Sequence, residues 1–239
     1  MNLNISSRGC GTALVFFHGW GFDQAIWHNL AEALADKATL YLVDLPGFGQ
    51  SPMMSWEMFK SRLLARLPPH FALVGWSMGG LFATRLAIEH PLCVTHLINV
   101  TSSPCFIKNA PWPGVEKTIL NTFLEDLTRN SQQTLEQFIA LQLQNYDYQA
   151  SSMSSPSLEG LEQGLDILAN WDLRERLPTL QCPTCYMFGR LDSIVPRTTM
   201  NTMQKIYPDF DYVMFNKAEH IPFLTHQAQF IKELEEYLL

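Results

Sequence analysis

With 239 residues, 47% of them hydrophobic, the chain can bury roughly 70–75% of its unfolded surface, so its core needs neither metal nor disulfide. Sixteen Lys and Arg stand against 23 Asp and Glu, a net charge of −7, which argues against nucleic acid or an anionic membrane as main partner. The polar N-terminus lacks a signal-peptide core, no run approaches the ~18 apolar residues of a membrane span, and five scattered cysteines fit a reducing cytoplasm.

Short β-rich runs alternate with amphipathic helical stretches, which predicts a mostly parallel sheet with helices on both faces. Thr12–His18 is a continuous apolar run, as a strand buried on both sides requires. Asp23 is placed to cap a helix reaching about Ala35, with Ile26, Trp27, Leu30 and Leu34 on one face. Thr39–Asp44 is the next strand and runs into the turn Leu45-Pro46-Gly47-Phe48-Gly49. Phe71–Trp76 is a strand entering Ser77, followed by a helix from Met78 to about His90, and Thr95–Thr101 is another strand.

From about Ile107 to Trp171 apolar residues recur at helical spacing with no strand between them, through Leu120, Phe123, Leu124, Leu127, Leu135, Phe138, Ile139 and Leu141. A Ser-rich stretch, Ser151–Ser157, interrupts this block before Leu158–Ala169 resumes it. The expected organisation is a core built from residues 1–106 and 172–239, with residues 107–171 as a helical cap over the sheet edge where such sheets bind ligands. Cys182–Phe188 and Asp211–Phe215 read as the last strands, each followed by a helix, the final one from about Thr225 to Leu239. Cys182 and Cys185 open a strand rather than a helix and have no second ligand pair, so they read as incidental thiols, not a redox or zinc site.

Gly75-Trp76-Ser77-Met78-Gly79 fits G-x-S-x-G between a buried strand and a helix. A sharp turn there lifts a serine hydroxyl above the sheet edge and aims the Met78 N–H where an oxyanion would form. His18-Gly19-Trp20-Gly21 follows the first strong strand, and the Trp20 N–H is the natural second oxyanion donor, with its indole lining a pocket. His18 itself reads as a structural hydrogen bonder rather than a base. A serine nucleophile needs a base within hydrogen-bond reach and a carboxylate that orients the base. Asp192 follows one predicted strand and His220 the next, in the order Ser, Asp, His. Glu219 is too close in sequence to face His220, and Asp44 reads as turn chemistry. The predicted triad is Ser77, His220 and Asp192, a hydrolase chemistry that calls for no metal and no cofactor.

These motifs resemble the α/β-hydrolase superfamily: His18-Gly-Trp-Gly, Asp44-Leu-Pro-Gly-Phe-Gly, Gly75-Trp-Ser-Met-Gly-Gly and Gly189-Arg-Leu-Asp. More narrowly, Val43–Gly49, Ser102–Phe106, Trp112–Gly114, Phe138–Gln142, Leu165–Leu168 and Leu191–Arg197 resemble the pimeloyl-[acyl-carrier protein] methyl ester esterases of biotin synthesis, and the likeness runs from the N-terminus through the last helix. The resemblance implies a cytoplasmic, monomeric serine carboxylesterase acting on an ester carried by an acyl-carrier protein. It also implies that Trp20, Ser77, Met78 and His220, with Phe138, Ile139, Ala140, Leu141 and Gln142 of the cap, contact the substrate.

The cap departs from what an acidic carrier would want, which is a basic docking surface. Between Asn109 and Asp172 the basic residues are Lys117 and Arg129, against acids that include Glu125, Asp126 and Glu136. Either the carrier docks through few charges, with Lys108, Arg174 or Arg176 helping, or the substrate is a smaller ester. A general short-chain carboxylesterase, another hydrolase with the same triad, and a non-catalytic ligand-binding protein on the same fold therefore stay open.

Overall fold

Each apolar strand is buried on both faces of one sheet, and alternate residues divide between two helical layers. A computed structural model describes residues 2–143, 154 and 156–238. Among them, seven strands form one sheet: β1 (Ile5–Gly9), β2 (Thr12–Phe17), β3 (Ala38–Val43), β4 (Phe71–Trp76), β5 (Val94–Val100), β6 (Thr184–Gly189) and β7 (Asp211–Phe215). Their order is β1-β3-β2-β4-β5-β6-β7, with β1 antiparallel to β3 and the other pairs parallel. Leu14 and Phe16 of β2 face a cluster with α1 (His28–Leu34) and α9 (Gln227–Leu238). Val15 and Phe17 face the opposite cluster, with α2 (Trp56–Leu64) and α3 (Met78–Glu89). This period-2 division is why the strands read as unbroken apolar runs.

Most predicted boundaries fall within two residues of the observed ones, and three local features differ from the sequence reading. Strand β1 (ISSRG) is an edge strand exposed along most of its length, so it carries none of the apolar signal that marks a buried strand. Helix α2 is capped by Ser55, whose side chain accepts from the Met58 N–H, and it buries Phe59 and Leu63 at i, i+4 spacing. The Asp23 side chain does accept from the Ala25 N–H at 2.9 Å, but it caps a 3₁₀ turn, Gln24–Trp27, that leads into a shorter α1.

Between β5 and β6 the chain leaves the sheet and forms α4 (Lys117–Arg129), α5 (Ser131–Leu143) and α6 (Leu158–Asn170). Residues 151–153 and 155 of the Ser-rich stretch, and Leu239 of the last helix, lie outside the described residues. Three contacts seat the insertion on the core. The Trp20 indole N–H donates to the Leu161 carbonyl at 2.9 Å. Gly160 lies against Gly47 so closely that a Cβ on Gly160 would come within 2.2 Å of the Gly47 oxygen. The Arg85 guanidinium of α3 sits 4.5 Å from the Trp56 ring centroid and 4.6 Å from that of Trp171, just past α6. Arg85 also donates to Glu89, which accepts from Lys60 and the Trp56 indole as well. Burial alone would raise the Glu89 carboxyl, but those hydrogen bonds outweigh it and hold its pKa at about 2. The remaining helices, α7 (Arg197–Ile206) and α8 (Pro222–Thr225), follow β6 and β7.

Candidate active site

Strand β4 and helix α3 meet at Ser77, whose backbone is forced into φ 53°, ψ −120°. A non-glycine residue there costs about 1–3 kcal/mol, so the surrounding structure must impose it. The flanking glycines show how. A Cβ on Gly75 would lie 2.5 Å from the Gly79 oxygen, and one on Gly79 would lie 2.4 Å from the Phe17 oxygen. Two hydrogen bonds hold the turn from β5: the Ser77 N–H donates to the Val100 carbonyl (3.0 Å), and the Ser102 hydroxyl donates to the Ser77 carbonyl (2.7 Å).

His220 lies in the loop after β7, and its ring is buried at the same sheet edge. Its Nε2 is 2.9 Å from Ser77 Oγ and its Nδ1 is 2.7 Å from Asp192 Oδ2. Because a carboxylate only accepts, the ring proton sits on Nδ1 and the Nε2 lone pair faces the serine hydroxyl. The other Asp192 oxygen accepts from the Ile194 and Val195 N–H groups at 2.8 and 3.0 Å, which orients the carboxylate. The His220 carbonyl in turn accepts from the Thr101 hydroxyl (2.7 Å) and the Trp76 indole (2.8 Å). Sequence reasoning missed Thr101 and Ser102. The only signal they left was two hydroxyl residues at a strand end beside the site.

Ser77 opens into a cavity of about 490 Å³, walled mainly by Phe106, Leu120, Phe123, Phe138, Leu165 and Leu168. Trp20 lines it, with edge-on ring contacts to Phe123 (5.3 Å) and Phe138 (5.0 Å). Met78 is buried at the head of α3. Of the five cap residues implied by resemblance, Phe138 reaches the cavity. Ile139 packs against the core, Ala140 and Leu141 are exposed, and the Gln142 side chain is buried.

The other histidine beside the site is structural. His18 is fully buried, accepts from the Leu45 N–H at Nε2 (2.9 Å) and donates from Nδ1 to the Gly19 carbonyl (2.8 Å). Desolvation lowers its pKa against the opposing pull of Asp44, keeping the ring neutral. Asp44 accepts from the Gln24 and Gln50 N–H groups and from Asn4, so it braces the turn that follows β3. Cys185 is buried in β6 and its thiol is pushed up to about 12 by desolvation, the opposite of a reactive cysteine.

Residues 12–227 match the α/β-hydrolase fold family. The chain is 51% identical over 238 residues to a pimeloyl-[acyl-carrier protein] methyl ester esterase of Legionella pneumophila (strain Corby), covering 100% of both chains. It is 38% identical over 253 residues to the enzyme of the same name from Aeromonas hydrophila, again covering 100% of both. Among solved structures, an esterase from Exiguobacterium antarcticum superposes with a TM-score of 0.88 at 22% identity, over 98% of this chain and 94% of that one. A bromoperoxidase from Bacillus anthracis superposes at 0.85 and 22% identity, over 99% and 95%. Likeness at that identity speaks for the fold alone. The full-length identity carries the narrower assignment: the chain belongs to the α/β-hydrolase superfamily and, within it, to the pimeloyl-[acyl-carrier protein] methyl ester esterase family.

Proposed function

We propose that this protein hydrolyses the methyl ester of pimeloyl-[acyl-carrier protein] to the free acid and methanol in biotin synthesis, through an acyl-enzyme on Ser77. The observation that carries the chemistry is the relay Ser77 Oγ–Nε2 His220 Nδ1–Oδ2 Asp192, with steps of 2.9 and 2.7 Å, at the floor of an apolar cavity. The full-length identity to enzymes of that name supports the substrate. The cavity walls suit an extended acyl chain: they bury methylenes favourably and offer the bound ester no competing charge along most of their length.

In the proposed mechanism His220 Nε2 takes the Ser77 proton as Oγ attacks the ester carbonyl. The Trp20 and Met78 N–H groups receive the developing oxyanion, and Asp192 stabilises the imidazolium without itself accepting the proton. His220 then protonates the departing methoxide. A water deprotonated by His220 attacks the acyl-enzyme carbonyl, the bond to Oγ breaks as His220 returns that proton to Ser77, and the acid formed ionises to solvent as the carboxylate product. An apolar wall disfavours that charge, which helps expel the product. Residues 107–171 act as the cap, with Phe138 and Phe123 as its acyl contacts. The protein works as a cytoplasmic monomer, a reading that its five free cysteines support for the compartment.

The test is methanol release from purified protein given pimeloyl methyl ester on its carrier and as a small ester, with Ser77→Ala as control. Release from the carrier-bound ester confirms the assignment. Release from small esters alone makes the protein a general carboxylesterase with the same triad, a reading that the acidic cap favours.

A further inference from the structure

Among the described residues that line the cavity above Ser77, two carry charge, Lys108 and Glu116. They are paired with each other: Lys108 Nζ donates to Glu116 Oε1, and both side chains are half-exposed. The backbone sets the pair in place. The Lys108 N–H donates to the Val115 carbonyl at 2.9 Å and the Val115 N–H to the Phe106 carbonyl at 2.8 Å, so two stretches of one loop run side by side. Gly114 permits the approach, since a Cβ on it would lie 2.5 Å from the Phe106 oxygen. Glu116 stands just before α4, where an acidic side chain ordinarily accepts from N–H groups of the first turn. Its side chain makes no such bond and serves Lys108 instead.

A half-exposed pair adds little to stability, so its consequence lies in the charge that the cavity offers a ligand. Apart from Ser77 and Ser193, the other lining side chains are apolar or aromatic. An acyl chain that presents an ester to Ser77 has a second end. If that end is a carboxylate, such a wall strips it of water, and it needs a cation or several donors in return. Lys108 is the one cation among the described lining residues, and Glu116 both engages it and repels a second carboxylate. An ester or thioester at the far end is uncharged and asks for no such partner. Selectivity then comes from what the site refuses as much as from what it holds.

We propose that Glu116 is a specificity-determining residue: by neutralising Lys108 it keeps the cavity selective for esters whose far end is uncharged and turns away those that end in a free carboxylate. This rests on ester hydrolysis at Ser77, as proposed above. The test compares monomethyl with dimethyl esters of the straight-chain diacids from succinic to sebacic, and reads the monoester-to-diester ratio of kcat/KM at each length. The wild type favours the diester. Glu116→Gln and Glu116→Ala, which both free Lys108, raise the ratio by about tenfold at the lengths that reach it, an effect that shrinks with added salt. The double variant Lys108→Met/Glu116→Gln brings the ratio back toward that of the wild type. A ratio unchanged at every length in both Glu116 variants overturns the proposal, as does a rise that persists in the double variant or a wild type that favours the monoester. A wild type that hydrolyses neither ester at any length refutes the esterase reading, and the selectivity with it.

Discussion

The hydroxyl of Thr101 donates to the backbone carbonyl of His220 at 2.7 Å, so the residue just past β5 holds the loop that carries His220. Thr101 takes φ 41° to do so, and the next residue, Ser102, donates to the Ser77 carbonyl. Two consecutive side chains thus tie the backbones of the serine and the histidine to a single strand end. Small displacements of reacting groups cost large factors in rate. Thr101→Val keeps the shape and removes the donor, leaving only the Trp76 indole on that carbonyl. We expect kcat to fall about tenfold with KM little changed, and Thr101→Ser to restore it. A kcat equal to wild type in Thr101→Val would show that the indole alone suffices.

Removal of the triad should follow the logic of a unit rather than a sum. Ser77→Ala should lower kcat by about 10⁶ and Asp192→Asn by about 10⁴, since the amide cannot hold the Nδ1–H tautomer in the same way. The Ser77→Ala/His220→Ala double variant should be no worse than Ser77→Ala. Burst kinetics with a chromogenic ester checks this directly, because the acyl-enzyme burst must vanish with Ser77. A burst surviving in Ser77→Ala would assign the nucleophile elsewhere.

The elbow glycines make a stability prediction. A methyl on Gly79 would meet the Phe17 and His18 carbonyl oxygens at 2.4 and 2.6 Å, all backbone and unable to swing aside. Gly79→Ala should lower stability by about 1–3 kcal/mol and displace the N-terminus of α3. Urea unfolding and esterase activity should both register it. An active variant with an unchanged midpoint would mean that β2 and α3 can separate at little cost.

His18 makes folding sensitive to mild acid. Its folded pKa lies below the unfolded value of about 6.5 because burial disfavours the charged ring. Below that pH the unfolded chain binds the extra proton, so stability is fully present above about pH 6.5 and declines as the pH falls toward the folded pKa. Glu89, held at about 2, loses its contribution only below the ordinary carboxylate range and leaves this window clear. Urea midpoints from pH 8 to 5 should fall for the wild type. His18→Gln should start lower, having lost a fitted hydrogen bond, but change less with pH. Parallel slopes for the two proteins would place the acid sensitivity in another group.

Much of this molecule was legible in its residues because the signals are local. Continuous apolar runs such as Leu14–Phe17 and Phe71–Trp76 announce strands covered on both faces, and Gly75, Ser77 and Gly79 announce the turn between strand and helix. The order of Ser77, Asp192 and His220, each just after a strand, identified the relay before any distance was known. What escaped was either exposed or non-local. Edge strand β1 carries no apolar pattern, and Thr101 and Ser102 read only as a strand end and the residue after it until β5 lies between β4 and β6. The helices of the insertion follow the periodicity of their residues, but periodicity cannot say which side chain of Phe138–Gln142 turns toward the cavity.

By itself, then, the chain determined the strands, the elbow and the identity of the three relay residues, because burial patterns and backbone strain are written in neighbouring residues. Only the tertiary structure decided the distances at which His220 meets Ser77 and Asp192, and that Arg129, Arg174 and Arg176 are engaged in ion pairs while, among the described residues, Arg190 and Arg197 are not. Those outcomes depend on which loops the parallel sheet stacks at one edge. Pairing between residues tens of positions apart is set by sheet order and register, which no short stretch of sequence contains.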